Sequence, residues 1–335
     1  MRVIVVGFGV VGQSFAKLLL SRSADLYSQH GIKPRIVACV DNKGSAVAPA
    51  GLDLQRLLEA KKAKGTVGAY EKGGRFNPLQ VIENVDAEVV LECSPTNLTD
   101  GEPGTSHIIT AMKVGKNVIS VNKGPLALAF PSLIELANYN GVMLRFSGTV
   151  GGGTPILEFA KRCLKGDRIT SFRGILNGTT NYILSKMDEG LTYESALADA
   201  AKKGYAEANP SLDVDGFDAA AKLVIMANWV MGMKVTMKDV KRTGITKVTA
   251  SDVKKAAQRG NAIKLIAACD SRQLDVAPTE VARTDPICVN GTLNAVTFSS
   301  EHSGQQTIIG RGAGGIETAS AVLRDLIEIR ETTFS

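Results

Sequence analysis

The chain opens with Arg2-Val3-Ile4-Val5-Val6, turns at once through Gly7-Phe8-Gly9-Val10-Val11-Gly12, and continues into the apolar pattern Phe15, Ala16, Leu18, Leu19. A short β-branched run ending in glycines reads as a buried strand, and the spacing that follows reads as a helix. No other stretch constrains the fold as tightly. In a Gly-x-Gly-x-x-Gly between strand and helix, the first glycine makes the tight turn and the second lets the backbone approach a pyrophosphate. The third lets helix and strand pack closely, while the helix N-terminus offers amide donors and the positive end of its dipole. Gly7, Phe8, Gly9, Val10, Val11 and Gly12 are therefore candidate dinucleotide-binding residues.

The same alternation continues. Strands are expected over 35–40, 87–93, 117–121 and 142–146, and helices over 52–64, 106–114 and 133–140. Residues 21–34 read as a polar excursion ending at Pro34, and 94–105 as a turn-rich loop. Strand and helix in turn imply an α/β chain with a Rossmann-type doubly wound parallel sheet. The 335 residues exceed what one hydrophobic core usually organises, so two domains are expected. The first spans 1–150. The second, 151–310, has a different texture: a helix from Pro155 over 155–164, strands over 169–176 and 289–298, and several helices between them. It reads as an α+β catalytic and dimerisation domain. A second Gly-rich loop at 310–315 opens a helix over 318–330, and the segment 311–335 is expected to return to the first domain.

Composition excludes several classes. Lys and Arg exceed Asp and Glu by 39 to 33, but the net +6 is scattered over pairs such as Lys61-Lys62, Lys202-Lys203 and Lys254-Lys255, and aromatics are only 5%. Nucleic-acid binders gather charge into one stripe interleaved with aromatics, so no nucleic-acid partner is expected, only a mild attraction for phosphorylated or carboxylate ligands. No run approaches the roughly 18 apolar residues of a membrane span, and the N-terminus lacks a signal-peptide pattern. Five cysteines (39, 93, 163, 269, 288) are odd in number and never spaced Cys-x-x-Cys, as for reduced thiols in a cytoplasm. His30, His107 and His302 stand alone, so no transition-metal site is expected.

Asp41 closes the second strand, where a carboxylate would take the ribose 2′-hydroxyl of NAD. It lies 29 residues beyond Gly12 rather than the usual roughly 20, and the excursion at 21–34 accounts for the excess. Lys43 would instead meet a 2′-phosphate, so NAD is favoured and NADP stays open. Asn122-Lys123-Gly124-Pro125 ends a strand at the edge of the sheet where ligands bind, which makes Asn122 and Lys123 candidates. Asn177-Gly178-Thr179-Thr180-Asn181-Tyr182 sets small polar groups on a turn after a strand, either to hold a polar substrate or to cap the next helix.

The densest ionic stretch runs from Gly204-Tyr205-Ala206-Glu207 through Asp213, Asp215 and Asp218 to Lys222. Asp215 can cap the helix, and Asp218 and Lys222 share one face four residues apart. The remainder of that helix is apolar through Trp229, so Lys222 is expected to be buried. A buried ammonium needs a partner, and an amine taken out of water gives up its proton more readily. Lys222 with Asp218 is thus a candidate proton-transfer pair; a structural ion pair is the plain alternative.

These residues together resemble the homoserine dehydrogenase family. The resemblance runs through Gly7-Phe8-Gly9, Ser94-Pro95-Thr96-Asn97 with Gly101-Glu102-Pro103, and Val121-Asn122-Lys123-Gly124-Pro125. It continues in Gly148-Thr149-Val150-Gly151-Gly152-Gly153, Leu176-Asn177-Gly178-Thr179-Thr180-Asn181-Tyr182 and Gly204-Tyr205-Ala206-Glu207. Leu212-Asp213-Val214-Asp215-Gly216, Asp218 with Lys222, and Gly312-Ala313-Gly314-Gly315 complete it, so that nearly the whole chain is covered. It implies reversible NAD(P)-dependent interconversion of L-homoserine and L-aspartate 4-semialdehyde, on the route to threonine, methionine and isoleucine, by a homodimer. It implies Lys222 as proton donor and acceptor, Asp218 orienting it, and Lys123 between nicotinamide and substrate. Glu207 would hold the substrate α-amino group, with Tyr205, Asp213, Thr179 and Gly178 around it. Ser94, Thr96 and Gly312 would line the dinucleotide site.

The chain departs from the family at Ser147, where many members carry a glutamate on a sodium ion. The carbonyls of Val150, Gly152 and Thr154 remain to coordinate Na+. The chain ends at Ser335, short of the regulatory or kinase domains of some relatives, so threonine inhibition through an extra domain is not expected. Four rival readings compete. Tyr182 and Lys186 form the Tyr-x-x-x-Lys pair of short-chain reductases. Another NAD(P)-dependent amino-acid dehydrogenase would share the same glycine loop. Cys93 could be an aldehyde dehydrogenase nucleophile. An NAD(P)-sensing binding protein would keep the glycine loop without needing Lys222 beside Asp218.

Overall fold

The computed structural model describes residues 1–333 except Lys72, Arg75 and Ala208. By contact the chain divides into two compact units, Met1–Thr149 with the segment from Gly314 onward, and Val150–Ala313.

The first unit alternates strand and helix: β1 (Arg2–Val6), α1 (Val10–His30), β2 (Arg35–Val40), β3 (Ser45–Val47), α2 (Leu54–Lys64), α3 (Pro78–Asn84), β4 (Val89–Glu92), α4 (Gly104–Lys113), β5 (Asn117–Ser120), α5 (Lys123–Tyr139) and β6 (Leu144–Arg145). Among the described residues these strands form one sheet in the order β3-β2-β1-β4-β5-β6. Neighbours are parallel except for β3, which pairs antiparallel with β2. The order reverses at β1 and β4, the switch point at which such sheets bind ligands.

Residues 21–30 correct the expected excursion. They are the second half of α1, which stops at Gly31 in the left-handed conformation, its N–H on the carbonyl of Tyr27. Phe15, Ala16, Leu19 and Leu26 make one buried stripe along the helix. The exposed stretch of 21–25 interrupts it and hid the helix from periodicity. The helix expected only from 133 begins at Lys123, capped by the Asn122 side chain on the Gly124 amide. Pro131 lies inside it, and the break it forces falls at Ala129, which leaves helical geometry.

The second unit contains α6 (Ile156–Glu158), β7 (Ile169–Ile175), α7 (Gly178–Asp188), α8 (Tyr193–Lys202), α9 (Ser211–Val214), α10 (Phe217–Met231), β8 (Val240–Arg242), α11 (Ala250–Gln258), β9 (Asn261–Cys269), β10 (Leu274–Ala282), β11 (Leu293–Ser300) and β12 (Gly304–Arg311). Its mainly antiparallel sheet has the order β12-β11-β7-β9-β10-β8. The strands β8, β9 and β10 occupy a region expected to be helical. In β9, Ala262 and Lys264 to Ala267 are buried, so the apolar run shows no alternation and carries no strand signature. The apolar helix α10 packs on β7, β9 and β10, which is why its residues from Ala219 to Asn228 are all buried.

The last helix, α12 (Gly315–Thr333), lies with the first unit. Its Ala319, Val322, Leu323, Leu326 and Ile329 join Val3, Val5, Phe15, Leu19 and Leu26 in one core. Each such aliphatic side chain contributes about 1.5–3 kcal/mol on burial, so α12 is part of what holds the first sheet.

Candidate active site

In the first unit the glycine loop leaves β1 with Gly7 at φ +100°, where a side chain is strained. A Cβ there would lie 2.3 Å from the Cys93 carbonyl oxygen, and one on Gly12 would lie 2.5 Å from the Gly7 carbonyl. Gly9 differs, because a Cβ there would meet nothing within 4 Å. It borders open space beside the start of α1, where Val10 is 72% exposed. No side chain caps α1 and no acidic residue occupies its first turn. Free amides, a positive dipole end and an uncrowded glycine fit a pyrophosphate.

Asp41 is placed at the end of β2 but is fully occupied. One carboxylate oxygen accepts from the amides of Lys43 (2.9 Å) and Gly44 (3.0 Å) and the Thr66 hydroxyl (2.9 Å). The other accepts from Lys61 Nζ (2.7 Å) and the Val67 amide (2.8 Å). Burial alone would raise its pKa, yet Lys61 and the surrounding donors bring it below the usual carboxylate range. To take a ribose hydroxyl, Asp41 would have to release one of these five donors, since a carboxylate has about four lone-pair sites. Lys43 is exposed.

At the ends of β4 and β5, Ser94 and Asn122 are tied together by a residue the sequence reading missed. Buried Glu92 accepts from the Ser94 amide (2.9 Å) and hydroxyl, and its other oxygen bonds His107 Nδ1 at 2.7 Å. Asn122 Nδ2 reaches the Pro95 carbonyl and the Ser94 hydroxyl, each at 3.3 Å. The signal available was Glu92 itself, the one charge in an otherwise apolar strand. Thr96 and Lys123 are half-buried.

In the second unit the expected ion pair is present. Lys222 Nζ donates to Asp218 at 2.6 Å and to the Leu176 carbonyl at 2.8 Å, and Lys222 is 7% exposed. Two of its three N–H directions are thereby fixed, which aims the third. Asp213 and Asp218 are linked by the Asn177 amide nitrogen, 2.6 Å from the first and 2.9 Å from the second. Burial, then the charge of Asp218, pushes the Asp213 carboxyl above its ordinary pKa; Asn177, Lys222 and Thr179 oppose the shift. Thr179 Oγ1 donates to the Tyr205 carbonyl at 2.8 Å, tying α7 to the loop that carries Tyr205 and Glu207. Tyr205 is 44% exposed with its ring 4.9 Å from that of Tyr182, and Glu207 is exposed. Gly178 sits where a Cβ would press on the Thr292 carbonyl at 2.7 Å. Gly312 lies against the Asn294 amide, and Gly152 against Gly312.

The rival motifs take other roles. The Tyr182 hydroxyl donates to Asp199 and accepts from Lys203, each at 2.5 Å, while Lys186 bonds Glu189. Burial pushes the Cys93 thiol well above its ordinary pKa, and it donates to the Gly7 carbonyl at 2.7 Å, so it is no thiolate nucleophile. Ser147 gives its amide (2.9 Å) and its hydroxyl to Asp325 of α12. Among the described residues, no three His, Cys, Asp or Glu gather as metal ligands, and no helix is long and apolar enough to cross a membrane.

Residues 155–327 match the family model described as homoserine dehydrogenase, and residues 1–114 match one described as Glutamate/Leucine/Phenylalanine/Valine dehydrogenase. The homoserine dehydrogenase of Methanocaldococcus jannaschii is 45% identical over 335 residues, covering 99% of each chain. The NAD(+)-dependent homoserine dehydrogenase of Pseudomonas canavaninivorans is 38% identical over 98% of this chain and 96% of its own. A hyperthermophilic archaeal homoserine dehydrogenase solved in complex with NADPH superposes with a TM-score of 0.87 at 27% identity, covering 100% of this chain and 98% of that one.

Proposed function

Because the chain belongs to the homoserine dehydrogenase family, we propose that Lys222, held by Asp218 and the Leu176 carbonyl, moves the proton in its reversible interconversion of L-homoserine and L-aspartate 4-semialdehyde. The protein is an NAD(P)-dependent oxidoreductase of amino-acid biosynthesis, one step on the route to threonine, methionine and isoleucine. NAD or NADP, when bound, accepts the hydride from the hydroxyl-bearing carbon. Gly7 to Gly12, Ser94, Thr96, Asn122 and Gly312 are proposed to hold it, with Lys123 at its nicotinamide end.

The observation that carries this reading is the aimed lysine. Oxidation of an alcohol needs a base at the hydroxyl as hydride leaves the carbon. Reduction of the aldehyde needs an acid at the same oxygen, where negative charge develops. Lys222 meets both needs along its third N–H direction. Neutral, it accepts the hydroxyl proton there; charged, it returns that proton and stabilises the developing alkoxide. Asp218 keeps the ammonium in place and balances its charge. An amino acid also brings a cationic α-amino group, and Asp213 and Glu207 are proposed to receive it, beside Tyr205, Thr179 and Gly178.

The scattered thiols fit a cytoplasmic protein, and the family resemblance supports a homodimer. The test is the absorbance of the reduced cofactor with purified protein, L-homoserine, and NAD or NADP. Homoserine-dependent reduction supports the reading, and the better cofactor settles the contest between Asp41 and Lys43. Cofactor binding without turnover on homoserine would move the substrate elsewhere.

A further inference from the structure

Asn177 is buried and every polar atom of its side chain is used. Its Oδ1 caps α7, accepting from the Thr180 amide at 2.8 Å and the Thr180 hydroxyl at 3.0 Å. An acceptor at that end fixes the amide orientation, so both N–H groups must point the other way. They go to two different carboxylates, Asp213 on α9 and Asp218 on α10, separated from it by 36 and 41 residues. The Asp218 oxygen that receives Asn177 is also the one that receives Lys222.

We propose that Asn177 is a positioning residue of the reaction: locked by its cap, it bridges Asp213 and Asp218 and turns one Asp218 oxygen to Lys222. Two neighbouring carboxylates in a buried site repel, and one tends to keep its proton. A neutral double donor between them lets both carry charge at the pH where an amino acid is bound as a cation. A cap alone would need only the oxygen, and Ser, Thr or Asp would serve as well. The nitrogen is what the bridge requires, and among these cap residues Asn alone has it.

Among the described residues, the charged groups bonded within the bridge are Asp213, Asp218 and Lys222. Beyond them Arg242 of β8 donates to the Asp215 carbonyl, and Lys264 of β9 bonds Asn181 at 3.0 Å. The Thr179 hydroxyl also favours the charged form of Asp213, after Asn177 and Lys222, but it does not reach Asp218 as the Asn177 amide does.

This inference rests on the reading of Lys222 as the proton carrier, so its test has one readout that needs no turnover. In Asn177→Ser the cap remains and the bridge is lost. The Asp213 carboxyl, followed by NMR of protein labelled at aspartate and assigned with Asp213→Asn, is expected to titrate about one pH unit higher than in the wild type. The acid limb of kcat/KM for homoserine is expected to move with it, a tenfold loss on that limb, while KM for the cofactor stays put. Asn177→Asp, which adds charge without a donor, is expected to move both further, and Asn177→Thr serves if the serine variant does not fold. An Asp213 titration unchanged in the serine or threonine variant overturns the bridge and leaves Asn177 a cap. A shifted titration in a protein whose wild type ignores homoserine keeps the bridge and overturns the reaction instead.

Discussion

Asp213 is the residue whose ionisation the fold resists most plainly. Its pKa is raised because burial and the neighbouring Asp218 disfavour the charged form, so the folded chain binds that proton more tightly than the unfolded one. The stability this gives is complete below the ordinary carboxylate range and is lost as pH rises through the folded value. Asp213→Asn removes the liability. The variant is expected to unfold at higher denaturant than wild type at pH 8, the gap closing as pH falls to 4, while KM for homoserine rises. Paired urea titrations at the two values check it, and a gap that widens on acidification would contradict it. At this scale, what could be read from sequence was local. Asp218 and Lys222 are four apart on an apolar helix, so pairing and burial followed from spacing. Asn177 lies 36 residues from Asp213, and Glu92 lies 15 from His107. No periodicity reports such contacts, since tertiary folding makes them. Asp41 shows the reverse: its position at a strand end is legible, but not the Lys61, Thr66 and Val67 donors that occupy it.

Among the elements, the turn from β1 into α1 separates what folding needs from what binding needs. A Cβ at Gly7 would strike the Cys93 carbonyl and adopt φ +100°. Gly7→Ala is therefore expected to cost about 2–3 kcal/mol or more of stability. A Cβ at Gly9 meets no protein atom within 4 Å, so Gly9→Ala should fold with near wild-type stability and lose cofactor affinity at least tenfold. Denaturation and cofactor titration on the two variants give the answer, and a Gly9→Ala protein that binds cofactor normally would remove the loop from the site. The glycine loop was legible because strand, turn and helix each leave a short-range mark. The length of α1 was not, because its exposed second half breaks the stripe before Leu26 resumes it. β9 reads as helical territory because a strand buried on both faces shows no alternation, and β10 because Pro278 interrupts its short alternating run.

At the largest scale, the first unit is closed by the end of the chain. Asp325, near the C-terminal end, is 0% exposed and receives the amide and hydroxyl of Ser147, 178 residues earlier. Asp325→Ala removes a buried charged acceptor, and a hydrogen bond to a charged group contributes about 1.5–3 kcal/mol. A loss of about 2–3 kcal/mol in the first unit is expected, read by urea denaturation. A loss below about 0.5 kcal/mol would show that α12 holds by its apolar stripe alone. The central claim remains that Lys222 carries the proton, and one variant tests it most directly. Lys222→Ala should bind NAD or NADP with the wild-type affinity and oxidise homoserine about a thousandfold more slowly, within the range a general base contributes. Turnover within tenfold of wild type, with cofactor affinity intact, would contradict the account.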